Sequence, residues 1–414
     1  MAIEVRTSQS ARTTKPASSP GRSPVVGLRC RACRRPEPIG LSYVCPACFG
    51  PLEVEYDYAI AGRTLTRAAI AARAPGIWRY AELLPIDAPP ARGLPVGSTP
   101  LISADRLAPT LGLDRLWIKD DTRNPSLSFK DRAVAVAAAR AVEFGVPALA
   151  CASTGNLAGA TAAAAAVLGL PAYVFIPADL EPAKVEHALA YGATVVPIEG
   201  TYDDVNRLCL EIAEALGWRS PDVVVAPVAS GAMFTRVARG FEELVELGLI
   251  ERRPIRYVGG QAAGCAPVAT AWAAGTDVIE PVRVPDTIVR SLAIGNPADG
   301  RYVVELADES GGSVEAIEDV TTAATIRDVA RLEGIYPETA GGVTLAAAAA
   351  AARRGVIRPG DEVVALVTGN GLKTPDARTL GLVDGVARPG QPGLAPAIRP
   401  SLSAFERWLG GGVA

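Results

Sequence analysis

From Thr99 onward the chain alternates apolar, β-rich runs with alanine-rich stretches suited to helices. The runs are PALACAS (147–153), AYVFIPA (172–178), ATVVPIEG (193–200), DVVVAPVAS (222–230), IRYVGGQ (255–261) and EVVALVTGNG (362–371). They are apolar nearly throughout rather than at every second position, so each strand has to be covered on both faces, as in a parallel sheet layered between helices. The alternation predicts an α/β fold. Several runs end in Gly, Ser, Thr or Asn, and ligands of open α/β sheets collect beyond the carboxyl ends of the strands. The ends at Ser153, Ser230 and Thr368 are therefore expected to share one site. Between Phe144 and Ala178 no side chain is charged. Pro147, Gly155, Gly159, Gly169, Pro171 and Pro177 cut that stretch into pieces shorter than the roughly twenty apolar residues of a spanning helix, so strand, turn, buried helix and strand are expected there and no membrane span.

The chain, 414 residues long, exceeds one small core; about two or three folding units are expected. Residues 1–27, rich in Ser, Thr, Pro and Arg, are expected to be a disordered tail; a transit peptide is the alternative, since Glu4 is the only acid there. A cysteine segment (28–56) follows, then a connector rich in Pro, Ala and Arg (57–96), the α/β region (97–385, with a smaller subdomain over roughly 125–200) and a C-terminal tail (386–414). Forty-one basic and forty-four acidic residues give a net charge of −3, which supplies no global attraction to nucleic acid or to an anionic membrane. Small molecules and further copies of the chain are the expected partners.

Four of the seven cysteines are grouped, with Cys30-x-x-Cys33 and Cys45-x-x-Cys48 separated by eleven residues. Two such pairs on two knuckle turns supply the four thiolates of a tetrahedral zinc site. With every position taken by sulfur the metal has no open site for catalysis, so a structural zinc ribbon is expected. Arg29, Arg31, Arg34 and Arg35 raise the question of nucleic acid, yet Glu37, Glu53, Glu55 and Asp57 follow and no aromatic ladder interleaves the arginines. The remaining cysteines (Cys151, Cys209, Cys265) are scattered, unlike a disulfide scaffold. A reducing compartment, the cytoplasm, is expected.

Only five lysines occur: Lys15, Lys119, Lys130, Lys184 and Lys373. Where arginine supplies most of the positive charge, a lysine inside an apolar segment suggests amine chemistry, because a guanidinium cannot condense with an aldehyde. Lys130 lies in NPSLSFKDRAVAVAAARA, just inside an expected helix; a surface lysine is the bland alternative, and Asp131 and Arg132 alone would permit it. Its company favours chemistry. CASTGNLAGATAAAAA (151–166) sets small polar residues at a strand-to-helix turn, where Ser153, Thr154 and Gly155 could hold a carboxylate and the Asn156 amide a ring hydroxyl. PVASGAMFT (227–235) is a second such turn, open to a phosphate. At the last strand Thr368 offers a neutral hydroxyl to a pyridine nitrogen.

GSTPL (97–101), KDDTRNPSLSFKDR (119–132), ASTGNLAG (152–159), PVASG (227–231), SLAIGNPADG (291–300), ETAGGVT (338–344) and VTGNGLKTPD (367–376), in this order, resemble the type II pyridoxal-phosphate-dependent enzymes, and among them the threonine synthases that carry a zinc ribbon. The resemblance spans nearly all of 28–385. It implies two open, mostly parallel-sheet domains, pyridoxal 5′-phosphate joined to Lys130, Asn156 at the ring hydroxyl, and Thr368 at the ring nitrogen. The cofactor phosphate would lie on the backbone of Ala229, Ser230, Gly231, Ala232 and Met233, where many relatives have two glycines with asparagines. The implied reaction converts O-phospho-L-homoserine and water to L-threonine and phosphate, and a homodimer is the expected assembly.

One departure from the family stands out. In relatives about thirty further residues, a strand and a helix, follow the helix that ends here at Trp218, before the strand beginning at Asp222. That stretch helps grip the substrate phosphate. Either other arginines replace it, or the chain is impaired, or the sequence carries a deletion. Alternative readings are a threonine or serine dehydratase, a β-replacement enzyme acting on phosphoserine, or a cofactor-binding protein without turnover.

Overall fold

The computed structural model describes residues 23–40, 44–152, 155–176, 182–197, 216, 218–373, 403, 406 and 407. Most of both tails, Ser153, Thr154 and nearly all of the helix expected over 201–218 lie outside them.

Val25–Cys30 (β1), Pro36–Glu37 (β2) and Leu52–Tyr56 (β3) form an antiparallel ribbon in the order β2-β1-β3. The principal sheet has six strands: Leu101–Ser103 (β4), Arg115–Asp120 (β5), Val223–Pro227 (β9), Arg256–Ala262 (β10), Ser313–Ile317 (β11) and Glu362–Val367 (β12), in the order β11-β10-β9-β12-β5-β4. All its pairings are parallel except β4 with β5. A second sheet, parallel throughout, joins Leu149–Ala152 (β6), Ala172–Ile176 (β7) and Thr194–Pro197 (β8).

Ten helices fall among the described residues: Tyr58–Ala61 (α1), Arg67–Ala72 (α2), Lys130–Glu143 (α3), Asn156–Leu168 (α4), Pro182–Ala190 (α5), Ala232–Glu246 (α6), Pro267–Ala273 (α7), Gly300–Ser310 (α8), Asp319–Glu333 (α9) and Thr339–Arg353 (α10). Successive side chains of a strand leave opposite faces, and the principal sheet uses both. Val224, Ala226, Val364 and Leu366 meet Phe234, Val237 and Phe241 of α6 and Val303 of α8. Val223, Val225, Val363 and Ala365 meet Val343, Ala346 and Ala347 of α10. This double cover explains the continuous apolar runs. At about 1.5–3 kcal/mol for each fully buried Val or Leu, it is the main source of stability.

The stretch expected as a connector is part of this core. Asp57 caps α1 and Thr66 caps α2 through side-chain bonds to Ile60 N and Ala69 N, at 3.0 and 3.1 Å, and Leu65, Ile70, Tyr80 and Leu83 are buried with the α6 face. The ribbon is docked as well: Glu53 pairs with Arg236 of α6, and Arg31 reaches Asp299 and Tyr302 at the start of α8. After Trp218 the chain is anchored at once. Arg219 Nη2 donates to Glu362 Oε1 at 2.8 Å, and Asp222 brackets Glu362, N to O at 3.0 Å and Oδ2 from N at 2.7 Å.

Candidate active site

Strand β5 delivers the chain to Lys130 through a tightly bonded corner. Asp121 and Arg132 form a buried two-point pair (Nε to Oδ2 2.9 Å, Nη2 to Oδ1 2.7 Å), and Arg132 Nη2 also donates to Thr99 Oγ1 at 2.9 Å. Asp131 Oδ2 accepts from Ser126 N at 2.7 Å. Leu127 takes a left-handed φ of 60°, a costly state for a branched residue that the surrounding bonds enforce. The corner is then fastened to the end of β12: Phe129 N donates to Thr368 O at 3.1 Å, Asn370 N to Leu127 O at 3.2 Å, and Ser128 bridges Gly369. Lys130 opens α3 opposite Thr368.

Two helix N-termini face this lysine. Gly155 precedes α4 with φ 129°, and a methyl there would overlap the Lys184 side chain. Gly231 precedes α6 with φ 97°, and a methyl there would lie 2.7 Å from Val303 Cγ2 and 3.0 Å from Asp299 Cβ. Leading N–H groups of a helix have no partner within it and favour an anion. All eight residues expected at the cofactor, Lys130, Asn156, Ala229, Ser230, Gly231, Ala232, Met233 and Thr368, line one open cleft of ≈ 720 Å³. Of the residues expected at a substrate carboxylate, Gly155 is buried beside Asn156, while Ser153 and Thr154 lie outside the described residues.

The cleft wall also carries Phe129, Ser291 and Glu338, which sequence reasoning did not place there. The Asn156 amide nitrogen donates to both Glu338 oxygens, at 2.8 and 3.0 Å. A carboxylate only accepts, so the amide nitrogen must face it and the oxygen must face away. Asn156 Oδ1 and Ser291 Oγ are buried without a hydrogen-bond partner. Orphaned polar atoms on a cleft wall are those a bound ligand would satisfy.

Beside the cleft lies a group of two lysines and a histidine. Lys184 and His187, on α5, press against the glycines of α4, Lys184 on Gly155 and His187 on Gly159. Lys373, just beyond β12, donates from Nζ to Ser126 O at 3.0 Å. Burial pulls the Lys373 ammonium down to about 8, against the raising influence of Glu338 and Asp131, and Lys184 adds to the depression. Burial also lowers the His187 imidazole, with Lys373 contributing. The carboxyl of Asp131 is raised, chiefly by burial. The composition held a signal for this group: Lys119, Lys184 and Lys373 are only 1, 2 and 4% exposed, so the rare lysines are kept for the interior.

In the ribbon the sulfur atoms of Cys30, Cys33, Cys45 and Cys48 all lie within 4.8 Å of one another. Cys30 Sγ is 3.5 Å from Cys48 Sγ and Cys33 Sγ is 3.7 Å from Cys45 Sγ. A tetrahedral zinc with bonds of about 2.3 Å separates its sulfurs by about 3.8 Å, so the donor set and spacing fit that ion. None of the described cysteines forms a disulfide, and no helix among the described residues is long and apolar enough to cross a membrane.

The family model "Pyridoxal-phosphate dependent enzyme" matches residues 93–218 and 206–369. A threonine synthase of Methanosarcina acetivorans is 35% identical over 361 residues, covering 80% of this chain and 88% of that one. One from Methanocaldococcus jannaschii is 32% identical over 379 residues, covering 84% and 93%. Among solved structures, a fungal L-serine ammonia-lyase from Rhizomucor miehei superposes with a TM-score of 0.55 at 20% identity, over 66% of this chain and 93% of that one. Maize serine racemase gives 0.53 at 20% identity, over 66% and 88%. At such identities the structures speak for the fold alone, which is shared by enzymes of more than one activity.

Proposed function

From the premise that this chain belongs to the pyridoxal-phosphate-dependent enzyme family, we propose that it is a threonine synthase, converting O-phospho-L-homoserine and water to L-threonine and phosphate. The observation that carries the reading is the likeness to enzymes of that name, at 32 and 35% identity across most of both chains. The fold neighbours include an ammonia-lyase and a racemase, so fold alone does not choose among them.

The residues of the cleft suit the cofactor. Lys130 supplies the amine for covalent attachment. The amides following Gly231 cradle the phosphate, where the tight contact with Val303 and Asp299 leaves no room for a side chain. The unpartnered Asn156 Oδ1 supports the assignment of its side chain to the ring hydroxyl, and Thr368 would take the ring nitrogen. When bound, the cofactor stores the electron pair left by proton removal from the substrate. The chain's own task is to position and to move protons. Lys130 Nζ, the amine of the cleft, would carry protons between the α and β carbons of the substrate. The Thr368 hydroxyl, buried and neutral, leaves the ring nitrogen without the full charge that a carboxylate would stabilise. Glu338 orients the Asn156 amide, and Phe129, Leu292 and Ile294 give the cleft an apolar wall.

The substrate phosphate is assigned to Lys184, Lys373 and His187. These groups answer the absence, between Trp218 and Asp222, of the segment that relatives place there; the family match falls into two pieces that meet at 206–218. The ribbon is assigned one structural zinc. A cytoplasmic location remains the reading from the scattered cysteine usage, and a homodimer the reading for assembly. Incubation with O-phospho-L-homoserine tests the function: release of phosphate together with L-threonine is expected. Ammonia and a keto acid from serine or threonine, without phosphate release, would identify a dehydratase, and cofactor absorbance without turnover would identify an impaired relative.

A further inference from the structure

Arg31 occupies the first knuckle of the ribbon, between Cys30 and Cys33. Its amide is fixed to Pro51 O at 2.9 Å, and Cys33 N donates to Cys30 Sγ at 3.4 Å. The guanidinium leaves the ribbon. Its carbon stacks 3.7 Å from the centroid of the Tyr302 ring, and Nη1 lies 3.3 Å from Asp299 Oδ1, an ion pair without an aligned hydrogen bond.

Asp299 holds the turn that precedes α6. Its N–H donates to Ser230 O at 2.9 Å, its Oδ2 lies 3.5 Å from the Thr235 hydroxyl, and its Cβ abuts Gly231. A carboxylate residue therefore packs against the turn whose amides suit a phosphate, with its side chain beside Thr235 of α6. Both partners of the ion pair are largely shielded from water, so the repulsion between Asp299 and a bound dianion would be poorly screened. Arg31 is placed to neutralise it. A second strut, Glu53 to Arg236, joins the ribbon to α6 itself, and Glu53 also faces Arg31 at 3.8 Å.

We propose that metal occupancy of the four-cysteine ribbon sets the affinity of the cleft for pyridoxal phosphate, with Arg31 as the positioning residue that links them. The inference rests on the reading of 229–233 as the phosphate turn. The ion holds the knuckle closed, the knuckle holds Arg31, and Arg31 cancels the charge of Asp299. Linkage makes the effect reciprocal, so the cofactor should retard metal loss by the factor through which metal tightens the cofactor.

The test is the dissociation constant of pyridoxal 5′-phosphate, read from the visible absorbance of the lysine-bound cofactor on the full-length protein. It is measured on metal-loaded protein, on protein stripped by a chelator under reducing conditions, and on metal-loaded Arg31→Ala. About tenfold weaker binding is expected in the last two, because the charge of Asp299 is then left uncancelled, with the zinc content of Arg31→Ala unchanged. Asp299→Asn added to Arg31→Ala should recover most of the affinity, which a merely structural role for Arg31 would not permit. Should stripping unfold the ribbon, the metal-retaining Arg31→Ala decides. An unchanged constant in Arg31→Ala overturns the proposal, and so does failure of Asp299→Asn to rescue. Gly231→Ala separates the two levels: if it weakens the cofactor while Arg31→Ala does not, the linkage alone fails, and if neither variant has an effect, the assignment of the phosphate turn fails too.

Discussion

The Asn156 amide nitrogen sits between the two carboxylate oxygens of Glu338, at 2.8 and 3.0 Å, joining the start of α4 to the start of α10 across the cleft. A bond to a charged acceptor contributes about 1.5–3 kcal/mol. A double-mutant cycle of Asn156→Ala and Glu338→Gln, followed by chemical denaturation, should return a coupling of roughly 1–2 kcal/mol. Additive losses would mean that the two side chains do not depend on each other.

Lys130→Ala should remove the absorbance of lysine-bound cofactor and lower turnover by at least about a thousandfold, within the range for loss of a positioned proton carrier. Lys184→Ala and Lys373→Ala should keep the absorbance and raise the Michaelis constant for phosphohomoserine. Spectra and initial rates of the three variants check this, and a surviving band in Lys130→Ala would move the attachment site elsewhere.

The depressed ammonium of Lys373 has a defined pH consequence. Between about 8, where the folded protein releases this proton, and about 10.4, where the unfolded chain does, the unfolded state binds more protons, so this group's contribution to stability rises with pH. Below pH 8 the buried charge costs on the order of 3 kcal/mol, relieved across that window. Relative to Lys373→Met, the native protein should therefore gain stability from pH 7 to pH 10 in urea titrations. A constant difference would place the titration of Lys373 outside this range.

At the ribbon, one zinc per chain is expected by metal analysis of reduced protein. Cys45→Ser should lower that content and open the segment 28–56 to proteolysis, because the small β1–β3 core relies on the ion. Absence of zinc from the reduced native protein would contradict the assignment.

Gly231→Ala tests the phosphate turn directly. The left-handed φ and the approach of Val303 together cost about 1–3 kcal/mol of strain, so cofactor affinity should fall by tenfold or more while Lys130 still reacts with free pyridoxal phosphate at high concentration. Titration of the visible band measures it.

How far the sequence carries can be followed strand by strand. Strands β6 to β10 and β12 were legible because their middles are apolar at consecutive positions, which for the principal sheet follows from cover on both faces. Strand β11, SVEAI, was not, since Ser313 and Glu315 are buried polar residues that break the pattern, and neither was β5, RLWIKD, whose buried end is charged. In the cleft the glycine turns announced themselves, because a positive φ at Gly231 or Gly155 demands that residue type. Glu338 did not: a carboxylate carries no mark in the sequence for pointing inward, and only the packing at the start of α10 turns it toward the site, whereas the scarcity of lysine hinted at Lys373.

The fastening of Phe129 to Thr368 also orders events during synthesis. Lys373 reaches Ser126 across 247 positions, and β12, the strand that fills the gap between β9 and β5, is the last strand of its sheet to be made. At about 5–20 residues per second, a ribosome leaves Lys130 without its opposing wall for roughly ten to fifty seconds. Throughout that interval the nascent amine is an ordinary solvated lysine, and the cleft beside it cannot close before β12 has been made.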